Sequence, residues 1–303
     1  MKKIILFFSF LTFFSNVCAQ NQIDKKLTLR LQELVKDFNG QAGIYVMNLK
    51  TGKTASVNAD SIFPTASMIK VPIMVGVFDK IEKGELNYEQ DLIYRDSLFY
   101  AGEDILGSFK DGEKIRLSKV QMLSITTSDN TASLWLQKLV GGESINNWLQ
   151  ANGFENTRIN SRTAGRQADW RMYGWGQTTP REMATLLLKI RDGKAISAAA
   201  SERMYRNMAR IYWDGQALSQ IPFYVQAASK QGAVDRARSE VVLVNAPHSD
   251  YVFCVATKNQ KDTSWTNDNE GYRLIRSVSA LLWKYFEPKS DWKPALGLQK
   301  YGE

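Results

Sequence analysis

The stretch PTASMIKVPIM, residues 64–74, places a hydroxyl and an amine three residues apart inside an otherwise apolar run. If a helix begins near Ala66, the side chains of Ser67 and Lys70 lie one above the other on one face. A lysine kept neutral by burial can accept the hydroxyl proton and so activate the serine as a nucleophile. The helix N-terminus would favour the negative charge that develops during attack. The pair is therefore a candidate for nucleophilic catalysis.

The serine-lysine spacing alone is not specific. A helix start followed by a lysine that extends its stem to solvent gives the same pattern. Pro72 also lies too deep for the first helical position, and it removes the hydrogen bond to the Met68 carbonyl. We therefore expect a local distortion of the backbone near Ser67.

Two further short stretches carry polar groups that suit the same chemistry. Ser128-Asp129-Asn130 falls where one predicted helix, ending near Thr126, gives way to another. Taken singly, Ser128 is predicted to cap the second helix. Lys230-Gln231-Gly232 lies on a strand-like run, where a single lysine is typical of a sheet edge. The ordered set of three patterns is much less expected by chance than any one of them.

This set resembles the signatures of the serine β-lactamase and D-alanyl-D-alanine peptidase superfamily. The stretches FPTASMIKVPIMVGVFDKIEKGEL, TTSDNTASLWLQKLVGG and GQTTPREMATLLLKI are similar to the class A β-lactamase layout, and the resemblance covers most of the chain after Gln20. It implies an α/β fold of the α+β type. An antiparallel sheet built from both chain ends would be flanked by helices, and an all-helical region would be inserted in it.

The resemblance also implies a role for each matching residue. Ser67 would attack the carbonyl and form an acyl-enzyme, and Lys70 would be the activating base. Ser128 would pass a proton to the leaving nitrogen with electrostatic help from Lys230. Asn130 would hold the substrate amide.

The remaining binding groups follow from the same likeness. The backbone N–H groups of Ser67 and Ala233 would form the oxyanion hole, where one donor is worth about 3 kcal/mol. Arg236 or Arg238 could pair with a substrate carboxylate, and Tyr100 could form an aromatic wall. Their alternatives are surface charge for the arginines and buried packing for the tyrosine.

Two departures from the family pattern concern substrate binding and deacylation. Gln231-Gly232 follows Lys230 where the family has Thr-Gly, so an amide replaces a hydroxyl. Class A enzymes carry a glutamate in the loop before the Thr-Thr-Pro segment, but no glutamate occurs here between Glu155 and Glu182. Counting back from Pro180 puts its usual position near residues 163–165.

Two carboxylates, Glu182 and Asp169, lie close enough in sequence to be considered as substitutes for the missing glutamate. Glu182 is explained by a capping box that begins at Thr179. Asp169, several residues after the usual position, is the candidate deacylation base, with Lys70 itself as the alternative. Loss of a positioned base would slow deacylation by about 10²- to 10⁴-fold while acylation survives.

The elements that must position these residues can be predicted from periodicity. Leu27 to Phe38 has helical spacing, and GIYVMNL and TASVNAD flank a turn as two strands. Helical periodicity dominates from about Ser67 to Ser201, alternation returns beyond Phe223, and a last helix spans Glu270 to Phe286. We expect a catalytic domain over residues 20–303, with an α/β part at about 20–65 and 205–303 and a helical part at about 66–204.

The N-terminal segment indicates where the protein is located, and the composition limits the kinds of site and partner that it can have. Residues 1–19 read as a signal peptide cleaved before Gln20, which predicts a periplasmic or secreted protein; lipidation at Cys18 is the alternative.

Removing Lys2 and Lys3 leaves 37 basic against 31 acidic residues, a net charge of +6, and no nucleic-acid motif accompanies this excess of basic residues. The single histidine, His248, argues against zinc and against an imidazole-based triad. Cys254 is predicted to be a buried hydrophobe.

The sequence thus predicts an exported serine hydrolase that acts on β-lactams through an acyl-enzyme at Ser67, with slowed deacylation. The alternatives are a D-Ala-D-Ala carboxypeptidase, an esterase-like relative, or a module that binds β-lactams without turnover. We expect a small-molecule substrate, no cofactor or metal, no nucleic-acid partner, no membrane span after signal removal, and a monomer.

Overall fold

The computed structural model describes residues 22–302, so the predicted signal segment lies outside the described residues. The strands are β1 (Gln41–Asn48), β2 (Thr54–Val57), β3 (Phe63–Pro64), β4 (Asp91–Ile93), β5 (Lys114–Arg116), β6 (Arg158–Ile159), β7 (Gly176–Thr178), β8 (Ala227–Val234), β9 (Ala237–Val244) and β10 (Tyr251–Lys258). The helices are α1 (Lys25–Val35), α2 (Lys70–Glu82), α3 (Leu117–Thr126), α4 (Asn130–Val140), α5 (Gly142–Ala151), α6 (Gln167–Tyr173), α7 (Pro180–Arg191), α8 (Ala198–Met208) and α9 (Glu270–Phe286).

A five-stranded antiparallel sheet joins the two ends of the chain. Its strand order is β2-β1-β10-β9-β8, so the early hairpin pairs with the late meander through β1 and β10. The long helical stretch between β3 and β8 is inserted into this sheet-forming framework, with two small antiparallel pairings of its own. The predicted fold class is confirmed.

Both faces of the large sheet are buried. Along β9, Val241 and Leu243 pack into the apolar cluster of the helical region, and Val242 and Val244 pack into the cluster with α1 and α9. The side-chain period of two in a strand explains this division. Cys254 lies fully buried in the first cluster, so the thiol is one more apolar core group.

The inserted helices pack against the sheet chiefly through α7, which contacts β1, β9 and β10, while α8 contacts β8. The α2 helix lies at the centre of the helical part and contacts α3, α4, α5 and α8. The short 3₁₀ segment that precedes it, Ala66–Ile69, packs against β8 and β9. Within residues 22–302, the helices lack the combination of length and apolar character that crossing a membrane requires.

Candidate active site

Ser67 lies in a short 3₁₀ helix, Ala66–Ile69, that leads directly into α2. A 3₁₀ helix has three residues per turn, so side chains at positions i and i+3 eclipse one another. The turn therefore aligns Ser67 with Lys70, the first residue of α2. It also explains Pro72, which occupies the third position of α2, where a backbone N–H has no partner within the helix. The expected distortion is this 3₁₀ segment.

The Lys70 ammonium is completely buried and is held by the loop before α4. Nζ donates to the Ser128 carbonyl oxygen, to Ser128 Oγ at 3.1 Å and to Asn130 Oδ1 at 2.8 Å. Ser67 Oγ faces the cleft without a hydrogen bond to any described residue, and Ser67 lines that cleft. Lys70 thus connects the nucleophile turn to two of the other predicted site residues.

Ser128 has a left-handed backbone with φ 62°, an uncommon conformation for a residue other than glycine. The neighbouring Asp129 holds this conformation, because its buried carboxylate accepts from Ala132 N at 2.6 Å and from Ile105 N at 2.6 Å. Asp129 is therefore the N-cap of α4. The prediction that Ser128 caps this helix is wrong, and its hydroxyl is directed toward the two lysines instead.

Lys230 approaches Ser128 from the sheet. Its buried Nζ donates to Ser128 Oγ at 3.0 Å, to the Gln231 carbonyl oxygen at 3.0 Å and to Gln231 Oε1 at 3.2 Å. The hydroxyl of Ser128 consequently lies between two ammonium groups. The Gln231 side-chain amide, which replaces the family's hydroxyl, accepts a hydrogen bond from Lys230 through its Oε1 atom.

The two buried lysines share a strongly perturbed environment. Burial lowers the pKa of Lys70 to about 7, and the negative charges of Glu103 and Asp129 oppose this effect. Burial and the adjacent Lys70 charge hold the pKa of Lys230 well below its ordinary value. A lysine with a pKa near 7 is partly neutral at physiological pH, which is the state that a general base requires.

A buried carboxyl group lies behind the strand that carries Lys230. Glu240 accepts from Ser229 Oγ at 2.6 Å and from Ala217 N at 2.9 Å. Burial raises the pKa of Glu240 to about 7, and its charge acts on Lys230 in the direction that favours the ammonium form. Sequence analysis did not identify this group, because its position within an alternating strand is typical of core residues.

Gly232 allows β8 to pack directly against the nucleophile turn. A Cβ at this position would collide with the Thr65 carbonyl oxygen and would lie 2.9 Å from Ser67 N. Ser239, opposite Gly232 in the sheet, donates from Oγ to the same Thr65 carbonyl at 3.1 Å. Ala233, the next residue, lines the cleft with Ser67. The strand and the turn thus bring the backbone of these two residues to one side of the cleft.

The cleft around Ser67 has a volume of about 560 Å³ and lies between the helical region and the β8 end of the sheet. Tyr100 is 40% exposed and lines it, with its ring in an edge-to-face contact with Trp175 at 5.3 Å. This aromatic pair also lines a second cavity of about 390 Å³. Thr163 and Ala164, near the expected position of the family's glutamate, line this second cavity.

The structure separates the two arginines that were candidates for binding a carboxylate. Arg236 lines the cleft, and its Nε donates to the Gln260 carbonyl oxygen at 3.3 Å. Arg238 is fully buried, donates to backbone carbonyls that include Ser264 O at 2.7 Å, and lies over the Trp265 ring at 4.6 Å. The prediction of Arg238 as a substrate ligand is therefore wrong, because its guanidinium is committed to the protein interior.

The loop carboxylates are also committed elsewhere. Asp169, in α6, pairs with Arg166 Nη1 at 3.0 Å, and it is not among the described residues that line the Ser67 cleft. The expectation that Asp169 serves as deacylation base is contradicted by this placement. Thr179 does cap α7. The Glu182 carboxylate instead accepts from the backbone N–H groups of Asn156 and Thr157, at 3.0 and 2.7 Å.

Glu103 is a cleft residue that sequence analysis missed. It lies in the loop after Tyr100 and lines the cleft with Ser67 and Asn130. Its charge is the largest of those that oppose the lowering of the Lys70 pKa. No motif marks the residue, since the path of an irregular loop decides where its side chain lies. Within residues 22–302, no group of three or more His, Cys, Asp or Glu side chains is arranged to hold a metal ion.

Comparison with known proteins identifies relatives over nearly the whole described chain. Residues 26–286 match the model of the beta-lactamase enzyme family. Beta-lactamase VEB-1 of Pseudomonas aeruginosa is 26% identical over 299 residues, which cover 94% of this chain and 98% of that protein.

Solved structures show the same architecture. PBP-A superposes with a TM-score of 0.79 at 30% sequence identity, over 88% of this chain and 98% of that one. A mutant of PBP-A has been solved as an acyl-enzyme complex with penicillin G. A beta-lactamase from Chitinophaga pinensis superposes with a TM-score of 0.77 at 22% identity, over 86% of this chain and 99% of that one, which supports the fold.

Proposed function

This chain belongs to the beta-lactamase enzyme family and is a serine β-lactamase-type hydrolase, and from that premise we propose that it opens β-lactams through an acyl-enzyme on Ser67. The observation that carries the proposal is the network in which Lys70 and Lys230 both donate to Ser128 Oγ, beside a cleft lined by Ser67. The acyl-enzyme of the PBP-A mutant with penicillin G supports it by analogy.

In the proposed acylation step, neutral Lys70 takes the proton of Ser67 as Oγ attacks the lactam carbonyl. The N–H groups of Ser67 and Ala233 stabilise the oxyanion. The carbon–nitrogen bond then breaks, and Ser128 gives its proton to the leaving nitrogen while the Lys230 charge stabilises the transfer. Lys70 restores the proton of Ser128, to which it is already hydrogen-bonded.

Substrate binding would use groups on both sides of the cleft. Asn130 presents its side chain beside Lys70, and Tyr100 forms part of the aromatic wall. Gln231, Gly232 and Ala233 offer the edge of β8. Arg236 is the described cleft arginine that we assign to a substrate carboxylate.

We propose slow deacylation, because Asp169 and Glu182 are engaged outside the cleft. A D-Ala-D-Ala carboxypeptidase is the second candidate function, since PBP-A is a structural relative at 30% identity and the loop lacks the family's glutamate. We further propose an exported, monomeric catalytic domain that begins at Gln20, with the cleft between its α/β and helical parts.

A burst experiment tests the proposed function. Mixing the protein with a chromogenic cephalosporin should release one equivalent of product rapidly and then continue at a slower steady rate. Intact-mass spectrometry should show the acyl adduct, and Ser67→Ala should remove both burst and adduct. A burst without turnover would support a binding module. Release of D-alanine from a muropeptide, without a cephalosporin burst, would support the carboxypeptidase.

A further inference from the structure

Glu103 is the carboxylate that the described lining of the Ser67 cleft contains. The other lining groups are aromatic, apolar, amide, hydroxyl or cationic. Hydrolysis of an acyl-enzyme needs a group that removes a proton from the attacking water, and a positioned carboxylate is a common choice. The cleft therefore contains a chemically suitable base outside the loop where the sequence predicts one.

The backbone around Glu103 is fixed to the N-terminus of α4. The Glu103 carbonyl accepts from Asn130 N at 2.8 Å, and Tyr100 N donates to Thr131 Oγ1 at 2.9 Å. On the other side, Ile105 N donates to the Asp129 carboxylate at 2.6 Å. These bonds hold the loop beside the same residues that hold Lys70. A side chain on such an anchored loop can be positioned for catalysis.

The Glu103 carboxylate lies near Lys70 but does not contact it. Its charge opposes the lowering of the Lys70 pKa more than that of buried Asp129 does, so the carboxylate acts electrostatically on the group next to the nucleophile. Within the described residues, however, the Glu103 carboxylate forms no ion pair within 4.0 Å and accepts no side-chain hydrogen bond. The carboxylate can therefore accept a hydrogen bond from a molecule that enters the cleft.

We propose that Glu103 is the general base of deacylation, an inference that rests on the proposed acyl-enzyme at Ser67. The carboxylate removes one proton from a water molecule as the water oxygen attacks the acyl carbonyl carbon. The bond between that carbon and Ser67 Oγ then breaks, and Oγ takes up the proton from Glu103 through water in the cleft, which leaves Glu103 ionised again. The products are free Ser67 and a carboxylic acid, which ionises by losing its proton to solvent.

The test compares Glu103→Gln with the wild type. Gln keeps the size of the side chain and cannot act as a base. The matched control is Glu143→Gln, which removes one exposed glutamate charge at the start of α5, outside the cleft lining. Single-turnover decay of the cephalosporyl adduct, followed by intact mass, reports deacylation. The burst rate reports acylation.

We expect Glu103→Gln to slow adduct decay by about 10²-fold, at the lower end of the range for general bases, because the side chain is exposed. The burst rate should stay within about threefold, and Glu143→Gln should match the wild type. Glu103→Asp should recover part of the decay rate, since it restores a carboxylate on a shorter stem.

Unchanged adduct decay in Glu103→Gln would overturn the proposal while leaving the acyl-enzyme mechanism intact. A slower burst with unchanged decay would also overturn it, because Glu103 would then act on Lys70 and not on water. If the wild type forms no adduct with the cephalosporin, the proposed function itself fails, and the inference fails with it. Thermal unfolding of each variant separates a local effect from loss of the fold.

Discussion

The two sides of the cleft use their polar groups in different ways. On the side formed by α2, the start of α4 and β8, two buried lysines and Ser128 are bonded to one another around the open cleft. On the side formed by residues 160–175, the polar groups are bonded among themselves. Arg166, for example, binds Asp169 and Asn160 Oδ1 at 3.0 and 2.8 Å. The first side is prepared for proton transfer, and the second serves mainly as a wall.

This difference separates the two halves of the proposed reaction. Acylation needs the nucleophile, a base, a proton donor and an oxyanion site, and candidates for all of them lie on the lysine side. Deacylation needs a base for water, and the loop side provides no carboxylate to the described cleft lining. Substitutions on the lysine side should therefore be much more damaging than those on the loop side.

Among variants that keep the Ser67 nucleophile, Lys70→Met should give the largest loss of activity. Removing the neutral amine should lower the acylation rate constant by about 10²- to 10⁴-fold, or about 3 to 5 kcal/mol in the activation barrier. Stopped-flow measurement of the cephalosporin burst checks this expectation, with thermal unfolding as the control for folding. An acylation rate within threefold of the wild type would remove Lys70 from the role of base.

The pH dependence of acylation should reveal the same group. Burial lowers the pKa of Lys70 to about 7, so the neutral fraction grows as the pH rises through that value. The burst rate constant should fall about tenfold for each pH unit below 7 and level off above it. Lys70→Met should lack this limb. A flat wild-type profile between about pH 5 and 8 would contradict the assignment.

Gly232→Ala should reduce acylation by about 10- to 100-fold. The added methyl group collides with the Thr65 carbonyl, so β8 must move away from the nucleophile turn. A misplacement of about 1 Å can cost about 10²-fold in rate. Gly215→Ala is the matched control, since its Cβ meets no atom within 4 Å. Equal burst rates in the two variants would show that the close approach is not needed.

Asp169→Asn should have the smallest effect, less than about threefold on adduct decay. Its carboxylate neutralises Arg166 at a partly exposed site, and such pairs contribute little to stability. Decay of the acyl adduct after removal of excess cephalosporin measures the effect. A slowing of tenfold or more would return Asp169 to the mechanism and would weaken the contrast between the two sides.

The features that the sequence predicts correctly are those that depend on residues close together in the chain. The last helix is predicted to the residue, because its apolar period is sustained and Asn269 caps it. The large sheet follows from strand patterns at the two chain ends. The three short motifs predict a shared site because each one combines a polar group with a local structure that presents it.

The failures depend on geometry that spacing does not encode. Arg236 lies in the two-residue turn between β8 and β9, whereas Arg238 lies within β9, pairs with Ala233 and turns its side chain into the protein. Irregular loops decide which carboxylate reaches the cleft, so Glu103 belongs to the described cleft lining and Asp169 does not. The position of Pro72 within an apolar helix is explained by the 3₁₀ turn that precedes α2, and residue spacing does not predict that turn.

The burial of Cys254 has a practical consequence for following these steps in solution. Residues 22–302 contain this one cysteine, and thiol reagents cannot reach it in the folded state. A cysteine introduced at Met172, which is 69% exposed and borders the cleft, could thus carry a fluorescent reporter without competition from that native thiol. Filling and emptying of the cleft could then be watched in real time with colourless substrates.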